Sequence, residues 1–298
     1  MTEPSARADD GPATDAQLQA MISLVTDRSP KVAEGSLEAL VAQGEHALAS
    51  LDARLPHADG LEERRLRQAL ARIRHPLADA KVLEALRGAP ELESGALLLA
   101  RIVDGGPEPD QAADALDALA RRVDELLMDD ESSNRQLAVL RQVLVTESEL
   151  RGAPGARMHP LNALLHGALT RPGAMPLPLC MVWLLVARRV GIPLHGVNMP
   201  GHFLLGLEAE QRFVLLDAFT GGLLIDEATV ARQLAAHGAI KSSARELVCD
   251  DREMLLRTLR NLVHLAASDR DRRLALRATR ILARSAGMSS EVTGQPEG

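Results

Sequence analysis

The sequence predicts a mostly helical α+β protein with one small antiparallel sheet. Apolar residues recur at helical spacing over most of the 298 residues. All aromatic side chains, one Trp and three Phe, fall between positions 183 and 219. Strand-like runs occur only in this part of the chain, at 194–198, 202–207 and 212–218, after a helix predicted over about 177–190.

The N-terminal segments are predicted to be short paired helices. Thr14-Asp15-Ala16-Gln17 has the form of a capping box and begins the first helix. Ser29-Pro30 begins the second, with Pro at its first position. Further segments are expected near 45–55, 61–74 and 77–87, separated by Pro56, Asp59-Gly60 and His75-Pro76. These segments predict a HEAT-like helical array over 15–90, and an irregular helical bundle is the alternative.

The C-terminal part is predicted to be a pair of helices. Met254–Gly287 has the length and shape of one tetratricopeptide-like unit, with a break at Ser268-Asp269 but without the Trp/Gly/Tyr pattern of a standard repeat. The predicted organisation is a disordered tail at 1–13, the HEAT-like region at 15–90, an α+β core at 91–245, the helical pair at 246–287 and a disordered tail at 288–298.

Composition excludes several classes of protein. The net charge of −7 and an aromatic content of 1% argue against a nucleic-acid-binding surface. No apolar stretch approaches the roughly 18 residues of a membrane span. The polar, acidic N-terminus has no signal-peptide core, and two cysteines cannot form a disulfide framework, so we expect a cytoplasmic protein.

Motifs for cofactors are absent from the sequence. It contains no phosphate-binding glycine loop, no dinucleotide fingerprint, no Cys-x-x-Cys and no His-Glu-x-x-His. His195 and His202 lack an identifiable third ligand for zinc. We therefore expect neither a cofactor nor a metal.

His202 and Asp217 form the first candidate site. If the two later strands pair through a turn centred between Ala209 and Glu210, His202 lies opposite Asp217. A carboxylate at this position fixes the tautomer of the imidazole and raises its basicity. The alternative is that His202 is a partly buried strand residue and that Asp217 ends the strand.

Cys180 is the candidate nucleophile of a Cys-His-Asp relay. It lies one turn inside the helix that begins near Met175–Pro178. A thiol near a helix N-terminus has its pKa lowered by the helix dipole. Its neighbours at helical spacing are apolar, however, so an inert core thiol is the alternative. Cys249 follows no catalytic pattern and is assigned to packing.

The same region resembles the transglutaminase-like core of the bacterial SirB-type family. The resemblance covers about 90–287, and the run Val197-Asn198-x-Pro200-Gly201-His202-Phe203 is its most specific part. The other matching pieces, in order, are LNALL (161–165), Arg171…Gly173, PLPLCMVWLLVARRVGIPLHGVNMPGHFLL (176–205), LLDAFTGG (215–222) and MLLRTLRNL (254–262), of which the last belongs to the tetratricopeptide-like segment of that family.

This resemblance implies a papain-like, transglutaminase-type core in which His202 and Asp217 match the His and Asp of the triad. In active transglutaminase-like proteins the nucleophilic cysteine stands at the helix start, and counting back from Gly191 places that position at Met175 or Pro176, neither of which is a thiol. Cys180 replaces a family Ser one turn later.

Two functions are compatible with these residues. The first is a non-catalytic interaction or regulatory scaffold whose core lacks the nucleophile. The second is a cysteine-dependent acyl transferase or hydrolase on peptide or amide substrates, using Cys180, His202 and Asp217. A protein partner is expected in the first case. The basic stretch that includes Arg273, Arg277 and Arg280 is a candidate docking face, with a solvated helix surface as the alternative.

Overall fold

The structure is a computed structural model that describes residues 12–103, 109–127, 132–155, 159–209, 212–238 and 243–292. The chain divides into two compact units, residues 1–78 and 79–298. Helices predominate in both, and a four-stranded antiparallel sheet lies in the second. The predicted mostly helical α+β fold is therefore confirmed. The predicted tail at 1–13 lies outside the described residues except for Pro12 and Ala13.

The first unit is built from short helices around one apolar core. They are α1 (Asp15–Leu24), α2 (Pro30–Ala42), α3 (Leu48–Arg54) and the first part of α4 (Gly60–Arg87). Thr14 and Gln17 form the predicted capping box. The core side chains are contributed at helical spacing and include Leu18, Ile22, Leu37, Leu40, Leu51, Leu66 and Leu70. The HEAT-like description of this unit stays a prediction.

Helix α4 continues through Pro76, where the sequence predicts a break. Proline removes one hydrogen bond of the helix and its ring crowds the preceding turn. Apolar side chains are nevertheless buried on both sides of it, Leu70 and Ile73 before it and Val82 and Leu86 after it. The prediction of two separate helices is wrong: α4 runs through Pro76, and the apolar side chains buried on each side of it offset the local cost of proline.

Further α-helices make up most of the second unit. They are α5 (Leu92–Ala100), α6 (Pro109–Leu127), α7 (Ser133–Arg141), α8 (Leu165–Thr170), α9 (Pro176–Arg189), α10 (Glu227–Ala236), α11 (Asp251–Ser268) and α12 (Arg272–Val292). Helices α11 and α12 form the expected pair. Helix α12 runs on to Val292, into the segment for which the sequence predicts a tail, and 293–298 lie outside the described residues. Across the described part of the chain, no helix is both long and apolar enough for a bilayer span.

The sheet consists of β1 (Leu194–Val197), β2 (Leu204–Ala209), β3 (Arg212–Asp217) and β4 (Leu223–Ile225), in chain order. Helix α9 packs beside β1 and β2, and every side chain from Leu177 to Ala187 is buried. A helix that is apolar all round belongs inside a core rather than at a surface. Here α9 forms the centre of the second unit.

The register of the β2–β3 hairpin differs from the predicted one by two residues. Ala209 pairs with Arg212 and Leu207 with Val214, whereas a turn centred between Ala209 and Glu210 would place Leu207 opposite Arg212. The connection at 210–211 lies outside the described residues. A shift of two preserves which residues share a face, because side chains alternate with a period of two. His202, however, precedes β2, which begins at Leu204 and not at the predicted position 202, so it lies in the loop before the strand and forms no ladder pair with Asp217.

Candidate functional site

His202 and Asp217 lie side by side at one end of the sheet. The imidazole Nε2 is 3.1 Å from the Oδ2 atom of Asp217. The Asp217 side chain is only 8% exposed, and that of His202 is 22% exposed. The second carboxylate oxygen, Oδ1, accepts the backbone N–H of Phe219 at 2.9 Å. The carboxylate is thus fixed by the backbone on one side and can orient the imidazole with the other.

A tight turn after β3 holds Asp217 in this place. The carbonyl oxygen of Asp217 accepts the N–H of Gly222 at 2.8 Å and the Thr220 hydroxyl at 3.1 Å. Gly222 has a φ of 72°, a conformation that glycine adopts readily. A side chain on Gly222 would also meet the Trp183 ring 2.6 Å from its Cβ. The AFTGG segment after Asp217 therefore closes the turn directly against α9.

The loop that carries His202 is held by a single guanidinium group from α11. Arg257 donates to the carbonyl oxygens of Met199 and His202, each at 2.8 Å, and to the side-chain oxygen of Asn198. Its guanidinium also lies over the Phe203 ring, 5.5 Å from the ring centre. One side chain thus satisfies acceptors at both ends of the β1–β2 loop.

Sequence analysis did not single out Arg257. It lies in the arginine-rich C-terminal part of the chain, which the sequence indicated only as a docking face. Glu253, one turn earlier on α11, accepts a hydrogen bond from the Asn198 side chain at 2.6 Å. Burial lowers the pKa of the Arg257 guanidinium. The signal that could have identified it is its position on the inward face of α11, between the buried Met254 and Leu259.

Cys180 is fully buried. Its Sγ donates at 3.6 Å to the carbonyl oxygen of Phe203, which is the residue after His202. Burial raises the pKa of the thiol well above its ordinary value, and the charge of Asp217 raises it further. These effects outweigh the hydrogen bond from the backbone of Ala218, which lowers the pKa. The site therefore favours the neutral thiol rather than a thiolate nucleophile.

The N-terminus of α9, where the resemblance places a nucleophile, carries no thiol. Met175 is the N-cap residue and makes no side-chain capping bond, and Pro176 is the first helical residue. The segment that leads into α9 is held by the buried Asn162, whose side chain donates to the carbonyl oxygen of Gly173 at 2.5 Å. The carbonyl of Asn162 accepts the Met175 N–H at 2.9 Å. The local backbone is well tethered but bears no reactive sulfur.

The remaining candidates do not form a second reactive centre. Cys249 donates to Gly196 O at 3.7 Å, and burial raises the pKa of its thiol to about 12. The His195 ring packs near Phe213, 6.4 Å between centroids. Among the described residues, no group of three or more His, Cys, Asp or Glu side chains is arranged to hold a metal ion.

A helix buried against a small antiparallel sheet, with a His–Asp pair at the end of that sheet, defines a papain-like α+β core. Comparison with known families agrees. The family model of the transglutaminase-like superfamily matches residues 110–260. This chain belongs to the transglutaminase-like superfamily.

Relatives of the chain come from bacteria and from animals. A UPF0162 protein of Xylella fastidiosa strain Temecula1 is 32% identical over 202 residues, which cover 64% of this chain and 70% of the relative. A UPF0162 protein of Pseudomonas aeruginosa is 37% identical over 133 residues, covering 44% of this chain and 48% of the relative. F-box only protein 21 of Mus musculus is 31% identical over 105 residues, 33% of this chain and 17% of that protein. No solved structure gives a significant match.

Proposed function

We propose that this chain is a non-catalytic interaction or regulatory scaffold of the SirB type, built on a transglutaminase-like core that keeps the His–Asp pair but lacks its nucleophile. The observation that carries the proposal is the state of Cys180. Its side chain is 0% exposed, and burial raises the pKa of its thiol. A catalytic cysteine needs the opposite environment, with a lowered thiol pKa and access to substrate.

The alternative is a cysteine-dependent acyl transferase or hydrolase with a Cys180–His202–Asp217 relay. Two features favour it. The His202–Asp217 pair has the separation that orients a general base, 3.1 Å. The Cys180 thiol also contacts the backbone directly after His202. This activity would require Cys180 to become exposed to substrate.

Alkylation followed by mass spectrometry distinguishes the two. The folded protein would be treated with iodoacetamide from pH 6 to 10, and Cys180 and Cys249 quantified separately. We expect Cys180 to remain unmodified in the folded state and to react in guanidinium, because the reagent cannot reach a buried neutral thiol. Cys249, which is partly exposed, is the internal comparison.

The scaffold proposal fails if Cys180 reacts with an apparent pKa well below about 8.5 and His202→Ala abolishes that shift. Hydrolysis of a peptide amide that is lost in Cys180→Ala would establish the enzyme instead. His202→Gln is a second variant that keeps a hydrogen-bonding side chain and guards against misfolding of His202→Ala.

The outer face of α12 is the proposed partner surface. Arg273 and Arg280 are exposed, and Leu276 between them is 57% exposed. Arg277 lies one helical turn after Arg273 on the same face, but nearer the buried side of the helix. It is 12% exposed and its guanidinium is 2.7 Å from Asp79, so its first role is to hold the fold. An acidic partner would therefore meet Arg273 and Arg280.

Charge reversal tests this surface. In a pull-down, the double variant Arg273→Glu/Arg280→Glu should no longer bind the acidic partner protein. Arg232→Glu, at an exposed position on α10, should bind it as the wild type does. Equal capture by all variants would remove the role of this face.

A further inference from the structure

A separate cavity of about 290 Å³ lies on the sheet beside β3, away from His202, Asp217 and Cys180. Its apolar walls come from β3, α10 and the turn at 244–247, and its polar groups are a glutamate, a serine and an arginine. The lining residues are Phe213, Leu215, Glu227, Val230, Ala231, Ser243, Ala244 and Arg245. Small-molecule sites are commonly apolar cavities with a few polar groups, and this volume is at the lower end of their range, about 300–1,000 Å³. The ligand must therefore be small.

The aromatic wall of the cavity is fixed by a glycine on the neighbouring strand. A Cβ atom at Gly206 would lie 2.0 Å from the Phe213 ring, so only glycine allows the ring to lie across β2. The Arg245 guanidinium also lies over this ring, 5.0 Å from the ring centre. Both contacts limit the positions that the Phe213 ring can take.

Arg245 places a positive charge at the cavity. Its guanidinium also bonds Glu208 at 2.8 Å, and this contact with the stacking on Phe213 limits the positions it can take. A guanidinium carries five N–H donors, so one that bonds a single glutamate retains donors for a ligand carboxylate.

Glu227 places a negative charge at the same cavity, on α10. It is not required as the helix cap, because Asp226 accepts the Thr229 N–H at 2.7 Å and fills that role. Within the described part of the chain, Glu227 has no ion-pair or hydrogen-bond partner. An exposed carboxylate that lines an apolar cavity and is used by nothing else suits a ligand ammonium group.

We propose that this cavity binds a free α-amino acid with an apolar side chain of about leucine size. The side chain would occupy the space between Phe213, Leu215 and Val230, the carboxylate would meet Arg245, and the ammonium would meet Glu227. The two charges lie on different elements of one cavity, a pattern that matches a zwitterion better than an anion or a cation. The site does not depend on the scaffold proposal. It would allow this core to respond to a small molecule.

Isothermal titration calorimetry on the full chain tests the proposal with matched ligands. L-leucine should bind saturably. N-acetyl-leucine, which lacks the ammonium, and leucinamide, which lacks the carboxylate, should each bind at least about tenfold more weakly, since each loses one charged hydrogen bond. Glycine, which lacks the side chain, should give no measurable heat.

Variants locate the binding. Ala231→Trp fills the cavity from an exposed position and should abolish binding, whereas Ala235→Trp, one turn later on the same exposed face, should not. Glu227→Gln should weaken leucine about tenfold and remove its advantage over N-acetyl-leucine.

Three results would overturn the proposal. The first is no binding of leucine, isoleucine, methionine or phenylalanine. The second is leucine binding that is unchanged in Ala231→Trp. The third is equal affinity for leucine and N-acetyl-leucine, which would indicate a peptide C-terminus as ligand. None of these bears on the reactivity of Cys180, so the two proposals succeed or fail separately.

Discussion

Helix α9 and the loop between β1 and β2 meet at the candidate site, and they are built in opposite ways. The helix contributes apolar side chains throughout Leu177–Ala187, and its one thiol is buried among them. The loop is rich in polar contacts, with Arg257 holding three acceptors and Asp217 holding His202. The comparison shows that a polar His–Asp pair on a tethered loop can lie close to an apolar helix whose thiol is buried.

Substitutions in α9 should lower the free energy of unfolding more than substitutions that affect the loop. Trp183 is fully buried in α9, and we expect Trp183→Ala to lower the free energy of unfolding by about 4 kcal/mol through lost burial and the cavity left behind. Urea denaturation followed by circular dichroism measures this. Leu276→Ala, at an exposed leucine, should change it by less than about 0.5 kcal/mol. Similar effects of the two changes would contradict the central place of α9.

On the loop side, Arg257→Met keeps much of the side-chain volume but leaves three acceptors without their donor. We expect a loss of about 3 kcal/mol in the free energy of unfolding and a broadened NMR signal from the His202 imidazole, because the loop is no longer tied to α11. Arg260→Met, at an exposed position on the same helix, is the control. An unperturbed His202 signal in Arg257→Met would show that Arg257 does not position the loop.

Raising the pH above about 8.5 should lower the free energy of unfolding, because the thiols of the folded protein are wholly or partly buried. The unfolded chain loses thiol protons near pH 8.5. The folded state retains them, with the pKa of Cys249 raised to about 12 and that of Cys180 raised by burial. Folded protein therefore binds more protons than unfolded protein above pH 8.5, and stability falls as pH rises. We expect Cys180 alone to contribute a loss of about 2 kcal/mol between pH 8.5 and pH 10.

Few other groups complicate this measurement, because the chain has no tyrosine and three lysines. Urea unfolding at the two pH values, in wild type and Cys180→Ala, gives the contribution of Cys180. The partly exposed Cys249 should contribute less, since solvent reduces the effect of burial. An unchanged pH slope in Cys180→Ala would show that this thiol titrates normally in the folded state.

The smallest expected effect is at the His–Asp pair. Asp217→Asn keeps an oxygen for the Phe219 N–H but loses the charge that faces His202, which should cost about 1 kcal/mol. Asp226→Asn, at the N-cap of α10, is the matched control and should have almost no effect, because Asn caps as well as Asp. A loss above about 3 kcal/mol at Asp217 would mean that the pair is chiefly structural.

The sequence predicted α9, the α11–α12 pair and strands near β1, β2 and β3, but it divided α4 at Pro76 and did not predict β4 or α10. It placed the hairpin two residues out of register because Glu208, Ala209 and their successors include no Gly or Asn to mark a turn type. The adjacency of His202 and Asp217 does not depend on this register, because His202 lies in the loop before β2 and its imidazole reaches Asp217 from there. Helical spacing could have placed Arg257 on the inward face of α11, but not its role, since its three acceptors come from a loop more than fifty residues earlier.

The ion pair between Arg277 and Asp79 joins the two sequence termini of the second unit. Arg277 also donates to the carbonyl of Ile102 at 2.8 Å, and Arg252 donates to that of Leu86 at 2.9 Å. The family match, 110–260, contains neither Asp79 nor α12. A fragment with those limits would lose the contacts of Arg277 with Asp79 and with the carbonyl of Ile102. A fragment intended to fold should therefore begin before Asp79 and include α12.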